Sequence, residues 1–236
     1  MKTSLLLFLF PLMLSSQIEK VHVKYNVIIA NEEKFATNEI LKEYFKSAKE
    51  NAKYLEFNLS ITNQESYFYE SEILDKSDHS GLAFSKAFCG YTSTTYSEKN
   101  LNLYYQSFDD KILGKYVIQK EKRNDWKLTP EEKIIEGFLC YKATMSEIVI
   151  NPINFKSSTY IITAWYAPKI PFSVGPLNYF GLPGLILQVE RRGVVFGAVY
   201  IKLNPEVEPL IVKPRLDKIR DAKEIDSLKM NYFKRE

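Results

Sequence analysis

Apolar and polar positions alternate through most of this chain with the period of two that turns one face of a strand toward a core and the other toward solvent. Val21, Val23, Tyr25 and Val27 share one register of the segment 18–30. Leu55, Phe57, Leu59 and Ile61 alternate in the same way, and after Thr62-Asn63-Gln64 the segment 66–74 alternates again, so the two read as a hairpin. Charge and turn residues make 75–81 a loop, and 84–95 is a further apolar and β-branched stretch read as extended. Segments 101–108 and 115–120 follow as strands, separated by Asp109-Asp110 and Gly114. Near the end, 185–190 and 194–203 flank Arg191-Arg192-Gly193, whose glycine suits a three-residue hairpin loop with a bulge. The period changes to that of a helix twice. Ile40, Leu41, Tyr44, Phe45 and Ala48 follow a candidate N-cap at Thr37, and Leu216, Ile219, Ala222, Ile225, Leu228 and Tyr232 follow an extended connector bearing Pro205, Pro209 and Pro214. The pattern predicts a mainly β (α+β) fold: a strongly curved antiparallel sheet or half-barrel with one helix in the N-terminal half and one at the C-terminus.

One stretch breaks the alternation. Four of the ten prolines, Pro168, Pro171, Pro176 and Pro183, lie within 164–187 and exclude a helix there. Leu182-Pro183-Gly184-Leu185 carries Pro where a type II turn fixes φ and Gly where it requires a positive one, which predicts a reversal before a strand at 185–189. Trp165-Tyr166, Ile170-Pro171, Gly175-Pro176 and above all Gly181-Leu182-Pro183-Gly184-Leu185-Ile186 resemble the signature of the GLPGLI family of exported Bacteroidetes proteins. The run 133–143, with Lys-x-Ile-x-Gly-x-x-Cys-x-Lys-Ala, is also similar to that family, so the resemblance spans about 126–203. It implies an exported protein with no biochemical activity assigned to its family. The coarse order of elements is similar to envelope lipoprotein carriers and related half-barrels, an analogy of architecture only.

The N-terminus adds a location. A lysine, the apolar run 4–14 and Ser15-Ser16-Gln17 have the layout of a secretory signal peptide over 1–17, leaving about 219 residues, 18–236, as a single β-rich domain. The apolar run is shorter than the ~20 residues of a spanning helix, no comparable run follows, and no cysteine lies near the cleavage region, so the expectation is a soluble protein of the periplasm or cell envelope rather than a lipoprotein. A net charge of +3, about +2 once Lys2 is removed, gives no reason to invoke nucleic acid or anionic lipid. Cys89 and Cys140 are the only cysteines; in an oxidising compartment they are candidates for a disulfide, and the alternative is that both are small buried strand residues.

Candidate chemistry is sparse. His22 and His79 have no second imidazole at ligand spacing, and neither H-E-x-x-H nor paired C-x-x-C occurs, so no metal and no cofactor are expected. Asp78-His79-Ser80 are consecutive, whereas a triad assembles from separated segments. Ser173 lacks the first glycine of a nucleophile elbow, Asp109-Asp110 and Glu131-Glu132 are adjacent turn carboxylates rather than a facing pair, and Gly181-Leu182-Pro183-Gly184 has no following Lys-Ser/Thr to hold a phosphate. No catalytic residue is assigned. The signature residues Trp165, Tyr166, Pro171, Gly175, Pro176, Gly181, Leu182, Pro183, Gly184, Leu185 and Ile186 are read first as structural, setting a special backbone path over a packed core. The alternative makes Trp165, Tyr166, Phe172, Tyr179 and Phe180 the rim of a cavity. The leading function is therefore a non-enzymatic envelope protein holding an apolar, lipid-like or peptide-like partner in the curve of the sheet; the competing readings are an unrecognised hydrolase and a purely structural envelope protein.

Overall fold

The computed structural model describes residues 17–30, 39–71, 79–150 and 157–233; residues 1–16 of the predicted signal peptide, Thr37, the end of the predicted strand at 72–74 and Asp78 lie outside them. Among the described residues eleven antiparallel strands form one sheet. At its centre the first strand, β1 (Val21–Ile29), pairs with the last, β11 (Val194–Leu203), in a register running from Val21↔Leu203 to Ile29↔Val194. From β1 the sheet runs outward through β2 (Glu56–Ile61), β3 (Glu65–Glu70), β4 (Thr94–Glu98), β5 (Leu103–Asp110) and β6 (Gly114–Glu121). From β11 it runs the other way through β10 (Leu185–Arg191), β9 (Ser157–Ala167), β8 (Phe138–Ile150) and β7 (Lys127–Ile135). Strands consecutive in sequence are therefore neighbours everywhere except between β6 and β7, which are the two edges. Pairing of these two would have closed a barrel; instead a seam stays open between them. Curvature brings the edges together, and Arg123, just after β6, donates to the Ser146 carbonyl of β8 at 2.7 Å.

The alternation read from the sequence selects the concave face. Val21, Val23, Tyr25, Val27 and Ile29 of β1 are buried there, as are Phe57, Leu59 and Ile61 of β2, Phe68 of β3 and Phe196 of β11. Phe57 packs against Phe68, Tyr91 and Phe196 with ring centroids 4.7–5.6 Å apart. Each such side chain contributes about 1.5–3 kcal/mol on burial. Tyr25 is fully buried yet satisfied, its hydroxyl donating to the Ile186 carbonyl at 2.7 Å, so a polar tip deep in the core ties β1 to β10.

Two helices cover part of this face. α1 (Glu39–Ala52) is the predicted one. α2 (His79–Cys89) corrects the extended reading of 84–95 and shortens the loop read at 75–81, and β4 begins only at Thr94. Gly90, at φ +71, ends α2: its N–H donates to Ala87 O at 3.1 Å and that of Tyr91 to Lys86 O at 3.1 Å, the pair of bonds of a Schellman cap. The helices cross closely, Ser85 donating to the Ala48 carbonyl at 2.7 Å. The β10–β11 connection is also tighter than predicted. Arg191 pairs with Val194, leaving Arg192 (φ 52) and Gly193 (φ 77) as a two-residue loop of type I′ character in place of a three-residue loop with a bulge.

The C-terminal segment is a strap that wraps the β6 edge. Ile211 packs on the convex face against Tyr67, Tyr96 and Tyr105, with Lys213 paired to Glu65 at 2.7 Å. Ile219 then bridges Val117 in parallel, and Arg220 N–H donates to Val117 O at 2.8 Å. Finally α3 (Ala222–Phe233) turns onto the concave side, where Ile225 packs with Tyr116 and Ile118. The edge is thereby covered. Among the described residues no helix is long and apolar enough to cross a membrane.

Asp110 anchors this helix. Its carboxylate accepts from Lys229 at 2.7 Å and caps the N–H groups of Ile112 and Leu113, and the Lys229 ammonium first, then these N–H groups, hold its pKa down at about 2. A depressed carboxylate pKa contributes stability that is complete above the ordinary value of 3.8 and is lost as pH falls toward about 2. We expect α3 amides to lose hydrogen-exchange protection between about pH 4 and 2 while those of β1 and β11 keep theirs. Asp110→Asn should show that loss at neutral pH, and full protection of α3 in this variant would refute the anchoring role.

Candidate functional site

Between β9 and β10 the segment 168–184 does not cross the outside of the sheet but folds into its concave face. Ile170, Phe172, Leu177, Tyr179, Phe180 and Leu182 are all buried. Its backbone is tied to β10 by Leu185 N–H to Ile170 O and Ile186 N–H to Val174 O, each 3.0 Å, and to itself by Gly181 N–H to Ser173 O at 3.2 Å. Three glycines make this path possible, each because another group occupies the place of its Cβ. At Gly175 that place is 2.6 Å from Ile186 Cβ; at Gly181 (φ +89) it is 2.9 Å from Arg123 O; at Gly184 (φ +154) it is 2.4 Å from Ala167 O.

Gly184 has the predicted positive φ, but the turn differs from type II. Gly184 N–H donates to Leu182 O at 2.8 Å, a three-residue turn centred on Pro183, and the N–H of Leu185, which a type II turn would direct to residue 182, goes to Ile170 instead.

The structure separates the aromatic residues proposed to act together. Tyr166 faces inward, its ring centroid 6.3 Å from that of Tyr141. Trp165 lies on the opposite face of β9 between Lys142 and Gln188, with Lys133 Nζ 4.2 Å from its ring centre, and lines neither cavity described below. The concave face of the sheet is itself filled by core side chains, so it offers no open bowl. Phe172, Phe180 and Tyr179 do line cavities, at the end and seam of the sheet.

A cleft of about 510 Å³ opens where the signature loop meets the β2–β3 and β4–β5 turns and the 122–124 linker. Its lining is apolar at Ile61, Pro171, Phe172, Val174 and Phe180 and polar or basic at Lys99, Asn100, Asn102, Lys122, Arg123 and Asn124, with serines and Glu65 among them and Leu101 exposed. A second cavity, about 230 Å³, sits in the seam, lined by Tyr104, Lys120, Arg123, Trp126, Glu147, Asn178, Tyr179 and Phe180 among others. Phe180 and Arg123 belong to both and form the partition. Phe180 is held from three sides: Trp126 Nε1 donates to its carbonyl at 2.7 Å, the Tyr104 ring lies 5.2 Å away, and Lys122 Nζ is 5.3 Å from its ring centre. Asn178 donates to the Tyr104 hydroxyl at 3.1 Å, so residues 178–181 are tied to β5 on one side and to Trp126, just before β7, on the other.

Burial raises the pKa of the Tyr179 phenol, which lies near Arg191, Glu147 and Arg123, and it raises that of Tyr104 as well. Both are neutral hydrogen-bonding groups at neutral pH. Glu147 accepts from Arg191 at 2.7 Å, both half-buried. Sequence patterning pointed to the signature side of these cavities and missed the other. Lys99, Tyr104, Lys122, Arg123 and Glu147 come from separate strands and turns, and no local motif joins them. Cys89, at the end of α2, and Cys140, in β8, are buried free thiols in this structure, and burial pushes their pKa values to about 12 and about 11.

A family model described as "Protein of unknown function (Porph_ging)" matches residues 152–188, which contain β9 and the signature loop. No match was found among curated proteins. Two crystal forms of PNGF-II, in space groups C2 and P21, are similar in fold, with TM-scores of 0.52 and 0.50 at 14% identity over 89% of this chain. This chain spans about a third of the length of that protein, covering 32% of it. At this identity the likeness is one of fold.

Because the Cβ of any residue at 184 would overlap the Ala167 carbonyl, Gly184→Ala, Gly184→Asn and Gly184→Val should all destabilise by about 2–4 kcal/mol, without the tolerance of Asn that a left-handed turn position shows. Gly197→Ala, with nothing near its Cβ, should stay within about 1 kcal/mol of the parent. Denaturant unfolding of the four variants checks this, and a mild Gly184→Asn would restore the type II assignment.

Proposed function

We propose that this chain is an exported envelope protein of the binding type, and that its site is the cleft at the end of the sheet. The observation that carries the reading is the cleft's lining: about 510 Å³, bounded both by aromatic and proline residues of the signature loop and by polar, hydrogen-bonding side chains. That combination suits an amphipathic ligand, since the apolar lining gives affinity and the polar lining orientation. The three close-packed glycines and the anchored Phe180 support it, because a wall fixed in advance lowers the ordering cost of binding. Export rests on the layout of residues 1–17. On this reading the signature serves both roles weighed from sequence, its glycines the backbone path and Phe172 and Phe180 the cleft.

Protein isolated from its native envelope should carry an organic-extractable mass visible by native mass spectrometry. Leu101→Asp changes an exposed residue of the cleft and no core contact, so it should leave the melting temperature in place while lowering retained ligand about ten-fold. A wild-type protein that carries nothing, or a Leu101→Asp variant that retains as much as wild type, would overturn the reading.

A further inference from the structure

The charges around the cleft are unevenly answered. Among the described residues its one lining carboxylate, Glu65, is held by Lys213 of the C-terminal strap at 2.7 Å. Arg123 is spoken for by Asp125 and by the Ser146 carbonyl. Lys99 and Lys122 have no carboxylate within ion-pair distance among the described residues. Lys122 is half-buried, donates to the Glu98 carbonyl at 2.5 Å, and stands over the Phe180 ring. Burial lowers its pKa, with the more distant Glu98 carboxylate opposing the shift. An ammonium that has lost part of its water and gained only one carbonyl and an aromatic face is incompletely compensated. Three N–H bonds are available to it, and one is used.

Resting on the cleft as binding site, we infer that its ligand is an amphipathic anion, a carboxylate or phosphate head on an apolar chain, whose head is the missing counter-ion of Lys122 and Lys99 and whose chain lies along Phe172 and Phe180. The side amides of Asn100, Asn102 and Asn124 line the same cleft and offer neutral donors to the head's remaining oxygens. Placement of the anion beside Phe180 sets the polar head and the apolar wall within one side chain of each other, as a molecule with its charge at one end requires. An inorganic anion alone would leave the aromatic wall unused, and a neutral lipid would leave the lysine unanswered.

The test uses the full mature chain and calorimetric titration with four probes: dodecanoate, dodecyl phosphate, neutral monolauroylglycerol and inorganic phosphate. The anionic amphiphiles should bind about 10- to 100-fold more tightly than the neutral one, the range of a charge-assisted hydrogen bond, and the advantage should shrink with added salt. Lys122→Met should erase the advantage while retaining binding of monolauroylglycerol, and Lys122→Arg should keep most of it. Equal binding of charged and neutral amphiphiles by the wild type would overturn the anion inference and leave the cleft standing as a site. Inorganic phosphate binding as tightly as dodecyl phosphate would overturn it in favour of a free-anion site. Failure of every probe would remove the cleft reading itself, and the inference with it.

Discussion

The pairing of the first strand with the last is the constraint on which the rest of this molecule depends. A chain of antiparallel strands joined in sequence has its edges at its ends; pairing β1 with β11 moves the edges to the middle of the sequence, at β6 and β7. The two are consecutive and brought near each other, yet they do not pair. What must be managed is a seam in a curved sheet, with unsatisfied strand edges on either side and an apolar interior behind.

Two segments that are not strands answer this. The C-terminal strap takes the β6 side, bonding Arg220 to Val117 and laying α3 inside. The signature loop takes the interior, and its glycines mark where it is pressed against fixed backbone: the Arg123 carbonyl at Gly181 and the Ala167 carbonyl at Gly184. On the β7 side, Pro130 and a register shift between Leu128 and Glu132 interrupt the edge, the devices expected where a strand is to pair with nothing further. The cavities lie where these segments meet the sheet, because loops meeting strands cannot fill space as side chains between paired strands do.

Much of this was legible in the sequence, and the limits have physical reasons. The alternation of Val21, Val23, Tyr25 and Val27 sets the buried face of β1, and it was read correctly because burial of one face imposes period two. Helix α2 was missed because Phe84, Phe88 and their β-branched followers suggest a strand when taken together; the separating signal was Gly90, which stands where a Schellman cap needs positive φ. At Gly184 the sequence distinguished glycine from other residues but not the cause. Pro-Gly is shared by a type II turn and by a close backbone approach, and the neighbour, Ala167, lies seventeen positions away. Trp165 was grouped with Tyr166 by adjacency, which in a strand guarantees opposite faces. Period two, applied to that pair, separates them without any structure.

The basic lining of the cleft was beyond local reading for a different reason. Lys99 belongs to a hairpin turn and Lys122 to the linker that crosses toward the seam, and each looks like an ordinary solvated lysine in its own stretch. What distinguishes Lys122 is a neighbour 58 positions on, Phe180, held under its ammonium by Trp126. Its pKa is lowered by burial, which belongs to the folded site and not to the local sequence. The overall charge of +3 is too small to point to an anion, but net charge averages over a surface, whereas a ligand responds to the few groups within about one Debye length of it. A chain almost neutral as a whole can therefore hold one locally cationic cleft, if the carboxylates are engaged elsewhere, as Glu65 is by Lys213 and Asp125 by Arg123.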